Sequence, residues 1–488
     1  MNSRRTFLKG AVGAAAWWTL PSVAGSITDL TGMTLKRASE LVRTKQASPV
    51  DLAEACFKQI DRYNAPLNAF ITITRDKAMI AAREMEAEQQ RGKWRGPLHG
   101  IPIAIKDNID TAGILTTGAS ELFKDRIPTE DADVIRRLKN AGAVILGKLN
   151  LHEFAYGGTT TVSYYGAAHN PWALDHQTGG SSGGPAAALA ADLCFGSLGT
   201  DTAGSVRIPG SYCGIVGLKP TYGRVSNRGV IPLSWTLDHT GPMAKCVEDA
   251  AILLKVIAGY DERDPTTVDV PVPDYARALK TPVSRLRLGI PRKPFFDDVD
   301  PEVAKAVEAA IDLLKKMTAT ATDVQLPPAG NPADVWAPEI YAYHATWIQE
   351  SPEKYQAATR TAILRAKDAN AAAYAQARRN VDLARREIKN VFSQVDLLVT
   401  PTMKRPAPLI ANDAGTPRAV IGGNPGGNTA QFDVYGIPTI SIPCGFTTSG
   451  FPIGLQIAGA HWAESTVLAL AYAYEQATES HTRHPKLS

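Results

Sequence analysis

Three short stretches of this chain carry residues whose types and spacing could support nucleophilic chemistry. The first, residues 100–107, reads GIPIAIKD, with Ile101, Ile103 and Ile105 alternating with Pro102, Ala104 and Lys106. That is the period of a strand, and it puts Lys106 on the face opposite the three isoleucines. A lysine carried into a half-buried site is desolvated, which lowers its pKa and lets it act as a neutral base. A lysine at a strand end is more often solvated, so this stretch says little alone. The second is Gly179-Gly180-Ser181-Ser182-Gly183-Gly184-Pro185, running into the helix-forming residues 186–191. Glycines let backbone approach a substrate closely, and Pro185 suits the first position of a helix. Two hydroxyls, Ser181 and Ser182, are thus presented at a helix N-terminus, where negative charge is favoured. A flexible Gly/Ser linker is the plain alternative, and the alanine helix that follows at once argues against it. The third, residues 199–209, reads GTDTAGSVRIP. Small residues before Ser205 allow successive N–H groups to converge on one point, as an oxyanion hole requires. Asp201 and Arg207 could pair to brace that loop.

The three stretches need a frame to bring them together. Residues 34–94 read as helical, with Ser48 as N-cap, Pro49 at the first helical position and Asp51 completing a capping-box pattern. From residue 99 short apolar strands alternate with helices, such as 133–141 feeding 144–146, and this continues to about 258. Alternation of that kind indicates an α/β fold with a mixed or parallel sheet. Residues 262–285, rich in Pro and Asp, read as a surface connection. Helical runs follow at 301–316, 334–394 and 463–477, and the strand-like runs at 286–290, 396–400 and 439–442 are expected to rejoin the same sheet. One large domain is therefore expected: a central twisted mixed β-sheet covered by helices.

Together these features resemble the amidase signature family. The resemblance rests on Lys106 in GIPIAIKD, Ser181 in GGSSGG, Ser205 in GTDTAGSVRIP and the spacing of the two serines. Gly217-Leu218-Lys219-Pro220-Thr221, Asp396-Leu397-Leu398-Val399-Thr400-Pro401-Thr402, Gly436-Ile437-Pro438 and Pro452-Ile453-Gly454-Leu455-Gln456 extend it towards the C-terminus. Ala203 stands where many members have glycine, and Gly210 where many have alanine. The resemblance implies an amidase domain over 25–488, with a signature core at about 99–260. It implies Ser205 as nucleophile, Ser181 (on a cis peptide bond) as proton relay and Lys106 as the base that drives it. The backbone N–H groups of Thr202, Ala203, Gly204 and Ser205 would hold the oxyanion, with Ser182, Asp201 and Arg207 in support. The implied reaction is hydrolysis of a small-molecule carboxylic amide, or of a related aryl amide, ester or carbamate, without cofactor or metal.

Other chemistries fit less well. Gly180-x-Ser182-x-Gly184 spells the nucleophile elbow of an α/β-hydrolase esterase, but that needs a strand leading into the turn, and 172–177 is too polar for one. His152-Glu153 lacks the second histidine of a zinc hydrolase, and no phosphate-binding GxxxxGK[ST] occurs. An inactive exported binding protein has no reason to keep all three of Lys106, Ser181 and Ser205. A tRNA-dependent amidotransferase subunit is the rival within the family. The region 334–349 carries Trp336, Tyr341, Tyr343, His344 and Trp347, which points to a bulky apolar or aromatic substrate group, or else to core packing.

Over 488 residues, the chain has 44% hydrophobic and 20% charged residues, an ordinary globular balance able to bury a large core. Net charge is +4, with Arg4, Arg5 and Lys9 in the first ten positions, so no nucleic-acid footprint is evident. Five widely spaced cysteines and no CxxC pair point to small buried hydrophobes rather than disulfides or zinc. Ser3-Arg4-Arg5-Thr6-Phe7-Leu8-Lys9, a short apolar run and Ser22-Val23-Ala24 read as a twin-arginine-type signal over 1–24. The expectation is a periplasmic or secreted enzyme with no stable membrane insertion once that signal is removed.

Overall fold

A computed structural model describes residues 30–412 and 428–487. The signal read in the first 24 residues lies outside them. Two helices, Leu35–Arg43 and Pro49–Leu67, open the described chain. The Ser48 hydroxyl accepts the Asp51 N–H and the Asp51 carboxylate accepts the Ser48 N–H, closing the expected capping box. The all-helical reading of 34–94 fails at one place. A strand, β1 (Phe70–Ile73), separates these helices from the next, Arg75–Gln90. Four residues are too few for periodicity to reveal; only pairing with a partner distant in sequence makes them a strand.

Strands β2 (Pro102–Lys106) and β3 (Val144–Leu149) follow, flanking the helix Asp133–Asn140. A small two-stranded ribbon, β4 (His169–Asn170) with β5 (Ala173–Gln177), stands apart from the main sheet. The segment too polar in sequence for a strand is therefore β5, a ribbon strand whose residues are mostly not buried, which is why it is polar. After the helix Gly183–Ala190 come β6 (Gly196–Asp201), the helix Arg207–Cys213, β7 (Val216–Lys219) and β8 (His239–Ala244). The remaining strands are β9 (Arg287–Ile290), β10 (Thr320–Asp323), β11 (Leu397–Pro401), β12 (Thr439–Phe446) and β13 (Pro452–Gly459). The connection at 262–285 holds a short helix, Tyr275–Ala278, whose Tyr275 is buried.

Eleven strands form one mixed sheet in the order β1-β3-β2-β6-β8-β7-β12-β13-β11-β9-β10. The antiparallel β7–β12 pair joins the N-terminal and C-terminal parts, so the chain is a single α/β domain as expected. Every residue of β2, β3, β6, β7, β8 and β13 is buried. Successive side chains point to opposite faces, so both faces of the sheet are covered. All five cysteines are free and buried, in keeping with the small-hydrophobe reading. Neighbours β2 and β6 run parallel, with Ile105 opposite Leu198. Their carboxyl ends therefore open on one edge, the usual place for a site in an α/β sheet.

Candidate active site

Lys106 ends β2 and is sealed from solvent. Its Nζ lies 2.7 Å from Ser181 Oγ, 2.7 Å from Thr200 Oγ1 and 3.3 Å from the Thr200 carbonyl. Burial pulls its pKa down to about 7, with Asp201 and Asp238 at longer range opposing the shift. No carboxylate forms a salt bridge with it among the described residues, so desolvation wins. Near neutrality the amine is half unprotonated and can accept the Ser181 proton.

Ser181 and Ser182 lead into the helix Gly183–Ala190, whose N-cap is Ser182. The helix begins two residues before Pro185, which is its third residue rather than its first. The Gly180–Ser181 bond is cis, as the resemblance implied. The two neighbouring hydroxyls do different jobs. Ser182 Oγ donates to Thr200 O at 3.2 Å and accepts from Thr200 N at 3.4 Å, clamping the loop to β6. The Ser182 N–H donates to Ser205 O at 3.1 Å and holds the third stretch against the second. A hydroxyl so engaged and fully buried is no free nucleophile, and β5 precedes the turn from outside the main sheet; the elbow reading has neither of its requirements. The glycines follow from crowding: a Cβ on Gly184 would lie within 2.6 Å of Asn150 N.

Ser205 is the one member of the trio with access to a cavity, being 7% exposed where Lys106 and Ser181 are 0%. Its loop is held by Asp201, whose carboxylate meets Arg207 through Nε at 2.9 Å and Nη2 at 3.0 Å. The same carboxylate accepts the N–H groups of Gly204 and Val206. Burial opposes ionisation of Asp201, but the Arg207 guanidinium overcomes it and holds the carboxyl below the usual range. Arg207 also donates to Asp433, to the Gln456 side chain and to the Thr429 carbonyl, so it links the loop to β13 and to the segment before β12. The predicted brace is present and larger than the pair alone.

One expected oxyanion donor is corrected. The Gly204 N–H is spent on Asp201 Oδ1, which leaves those of Thr202, Ala203 and Ser205 on this loop. Gly204 is instead required by its backbone, with φ of +122°, and by Thr429, which a Cβ would strike. The Thr202 hydroxyl donates to Asp238 at 2.6 Å, and Asp238 also accepts the N–H groups of Leu233 and Ser234. Burial pushes the Asp238 carboxyl up to about 7.

The cavity at Ser205 is lined by Tyr156, Ala203, Ile208, Leu233 and Trp336, together with small residues of 155–158, and none of its lining residues is charged. Trp336 is thus the one aromatic of 334–349 that reaches it. Trp347 packs edge-on against Phe123, and His344 lies 4.4 Å from the Phe154 ring, so these two are core. Four residues of the site escaped sequence reading: Thr200, Tyr156, Asp238 and Asp433. Thr200 sat inside a motif read only for its small size, and Asp433 answers a guanidinium 226 residues away. Neither Asp238 nor Tyr156 belongs to a local pattern with a chemical meaning. Among the described residues no cluster of three His, Cys, Asp or Glu side chains is arranged to hold a metal ion.

The chain is similar to known amidases in sequence and in fold. The family model described as Amidase matches residues 51–468. An amidase of Pseudomonas putida is 41% identical over 471 residues, covering 94% of this chain and 99% of that one. A glutamyl-tRNA(Gln) amidotransferase subunit of Moorella thermoacetica is 37% identical over 486 residues, covering 93% and 98%. Among solved structures, the native peptide amidase of Stenotrophomonas maltophilia superimposes with a TM-score of 0.83 at 31% identity, covering 93% and 98%. A 6-aminohexanoate cyclic dimer hydrolase in complex with its substrate gives 0.84 at 30%, covering 93% and 99%.

The brace has a measurable consequence. Arg207→Met leaves the Asp201 carboxylate buried without its cation, a loss of about 3–5 kcal/mol. Urea unfolding should show the midpoint falling accordingly, with Arg207→Lys recovering only part because an ammonium lacks the planar fork. An unchanged midpoint for Arg207→Met would contradict the role given to the pair.

Proposed function

The chain belongs to the amidase family, and we propose that it hydrolyses neutral small-molecule carboxylic amides through an acyl-enzyme on Ser205. It is a hydrolase of amide C–N bonds. The observation that carries the residue assignment is the path from the cavity inwards: Ser205 reaches it, and behind the loop Ser181 is hydrogen-bonded to a lysine with a pKa near 7. Serine needs such help because its own pKa leaves almost no alkoxide at neutral pH.

Ser205 Oγ attacks the carbonyl carbon while its proton passes to Ser181 Oγ and the Ser181 proton passes to neutral Lys106. The tetrahedral oxyanion is stabilised by the remaining loop N–H groups, each worth about 10²–10³ in rate. The C–N bond then breaks as the nitrogen takes a proton from Ser181, which is resupplied by the Lys106 ammonium. Water attacks the ester through the same relay, releasing the acid and restoring Ser205. The relative named as an amidotransferase raises glutamine as a substrate. The cavity at Ser205 has no charged lining residue to clamp an α-ammonium and α-carboxylate, which favours neutral amides.

We further propose export by the twin-arginine route, on the strength of Arg4-Arg5 ahead of Phe7-Leu8-Lys9 and a short apolar run. Buried unpaired cysteines suit a protein that folds before it crosses the membrane.

Three measurements test these readings. A fluorophosphonate probe should modify Ser205, identified by peptide mass, and Ser205→Ala should lose both labelling and amide turnover; labelling at Ser182 would sink the assignment. Because the base must be neutral and its pKa lies at about 7, kcat should rise about tenfold per pH unit below 7 and level off above it. Lys106→Met should cost roughly 10²–10⁴-fold in kcat while staying folded; an acid optimum would refute the role of Lys106. Replacing Arg4 and Arg5 by lysine should leave the protein uncleaved in the cytoplasm on fractionation, and undiminished periplasmic recovery would remove the export reading.

A further inference from the structure

The Asp201–Arg207 brace holds the Ser205 loop at Gly204 and Val206, and a separate set of contacts holds the beginning of that loop. Asp201 is the last residue of β6, and it pairs across the antiparallel ladder with His239, the first residue of β8. His239 Nδ1 donates to the Asp201 carbonyl at 3.2 Å. The Asp201–Thr202 peptide is trans, so its C=O and N–H point in opposite directions and the Thr202 N–H is turned away from that imidazole. One residue before His239, Asp238 accepts the Thr202 hydroxyl on Oδ1 at 2.6 Å. Two consecutive residues thus grip one peptide group, the first through the Thr202 side chain and the second at the Asp201 carbonyl. Asp238 is itself fixed. Its Oδ2 accepts the N–H groups of Leu233 and Ser234, and its carbonyl accepts Asn227 Nδ2 at 2.8 Å. The turn 233–238 is pinned from behind by Glu339 on the helix Ala333–His344, whose buried carboxylate accepts the hydroxyls of Ser234 and Thr236 and the Thr236 N–H. Among the described residues no cation lies within salt-bridge distance of Asp238, although it is only 5% exposed. A buried carboxylate without a cation is costly, and what this one supplies is a rigid link from the turn to Thr202.

We propose that Asp238 is a positioning residue for the hydrolysis: through the Thr202 hydroxyl it holds the Asp201–Thr202 peptide so that the Thr202 N–H faces the oxyanion. The inference rests on Ser205 being the nucleophile and on its loop holding the oxyanion. A donor helps most when it is aimed in advance, because one that must turn into place during the reaction loses part of its strength to reorganisation. Without the hydroxyl anchor the peptide is held at its carbonyl alone and can rock about that bond. The loss falls on the transition state, where the oxygen is negative, and little of it falls on the neutral amide as first bound.

The test measures kcat and KM for para-nitroacetanilide, and Ki for trifluoroacetone, which as a hemiketal on Ser205 carries the same negative oxygen, all in the full-length enzyme. Thr202→Val keeps the shape and the backbone N–H but removes the hydroxyl. Its kcat should fall at least tenfold, approaching the loss of a whole oxyanion donor, with KM within about twofold and Ki rising by the factor that kcat/KM falls. Thr202→Ser keeps the hydroxyl and should retain at least fivefold more kcat than Thr202→Val. Asp238→Ala should lose as much as Thr202→Val, and the two combined should lose little more than either alone, since both cut one link. Asp238→Asn can keep both N–H groups on its oxygen and donate its NH₂ to the Thr202 oxygen, so it should retain at least fivefold more kcat than Asp238→Ala. A fall of less than tenfold in Thr202→Val, a change carried by KM, a Ki that does not follow, or single losses that multiply in the double variant overturns the proposal. Thr202→Val decides it alone where Asp238→Ala does not fold. Anilide turnover that survives in Ser205→Ala, with trifluoroacetone bound as tightly as by the parent, indicts the nucleophile instead, so the two failures are told apart.

Discussion

A guanidinium sealed from water must have its N–H groups answered, and answering those of Arg207 ties this fold together. Its partners are Asp201 at the end of β6, Asp433 and Thr429 before β12, and Gln456 on β13. The sheet delivers these groups from opposite ends of the sequence to one point beneath the Ser205 loop. Asp201, held ionised by the guanidinium, uses its remaining capacity on Gly204 and Val206. The two residues around Ser205 are thereby anchored to a buried charge rather than to solvent. Such an ion pair adds little net stability compared with apolar packing. What it supplies is position, since the loop cannot shift without exposing a buried charge.

Burial alone does not make a lysine a base, and this chain contains its own controls. Lys148 and Lys219 are as buried as Lys106, and burial lowers their pKa values to about 8 and about 7. Lys148 keeps Asp107 at 3.5 Å and donates to the Ile109 carbonyl and to Thr116 Oγ1, a hydroxyl whose own proton goes to the Ile114 carbonyl. Lys219 donates to the carbonyls of Ile437 and Pro220 and meets His239 Nε2, which accepts because Nδ1 of the same ring donates to the Asp201 carbonyl. Each of these partners can only accept, so neither lysine gains anything from giving up a proton. Lys106 has two hydroxyls as its closest partners, Ser181 and Thr200, and a hydroxyl can donate as well as accept. Its amine can therefore lose a proton to the relay and still be hydrogen-bonded. The difference between a structural and a chemical lysine lies in whether its partners have a proton left to donate.

The local parts of this arrangement were legible in the sequence because they are coded locally. Strand alternation placed Lys106, small residues marked the two loops, and Ser48 with Asp51 spelled a helix start that the structure closes as expected. The missing parts are those whose meaning lies across the fold. β1 is a strand only because β3 lies beside it, and β5 is polar because it belongs to a ribbon outside the sheet. Asp238 and Asp433 carry no pattern of their own, since each answers a group brought to it by the sheet. Gly204 departs from expectation for a related reason: its N–H belonged to the expected set of donors, but a carboxylate three residues earlier claims it. Which donors a loop has free is settled by who else is buried with them.

Ser181 and Ser182 give the sharpest case. They are adjacent, of one chemical type and inside one glycine-rich motif, so composition and spacing treat them alike. One is hydrogen-bonded to Lys106, and the other to both backbone groups of Thr200. Thr200 is the common element, because its side chain meets Lys106 while its main chain meets Ser182. The end of β6 thus fixes both serines at once, one through each kind of atom. A change at Thr200 would reach the relay from two directions, although it touches neither the nucleophile nor the cavity. The assignment of neighbouring hydroxyls to opposite roles follows from β6 lying parallel to β2, which is a property of the sheet and of no residue in the motif.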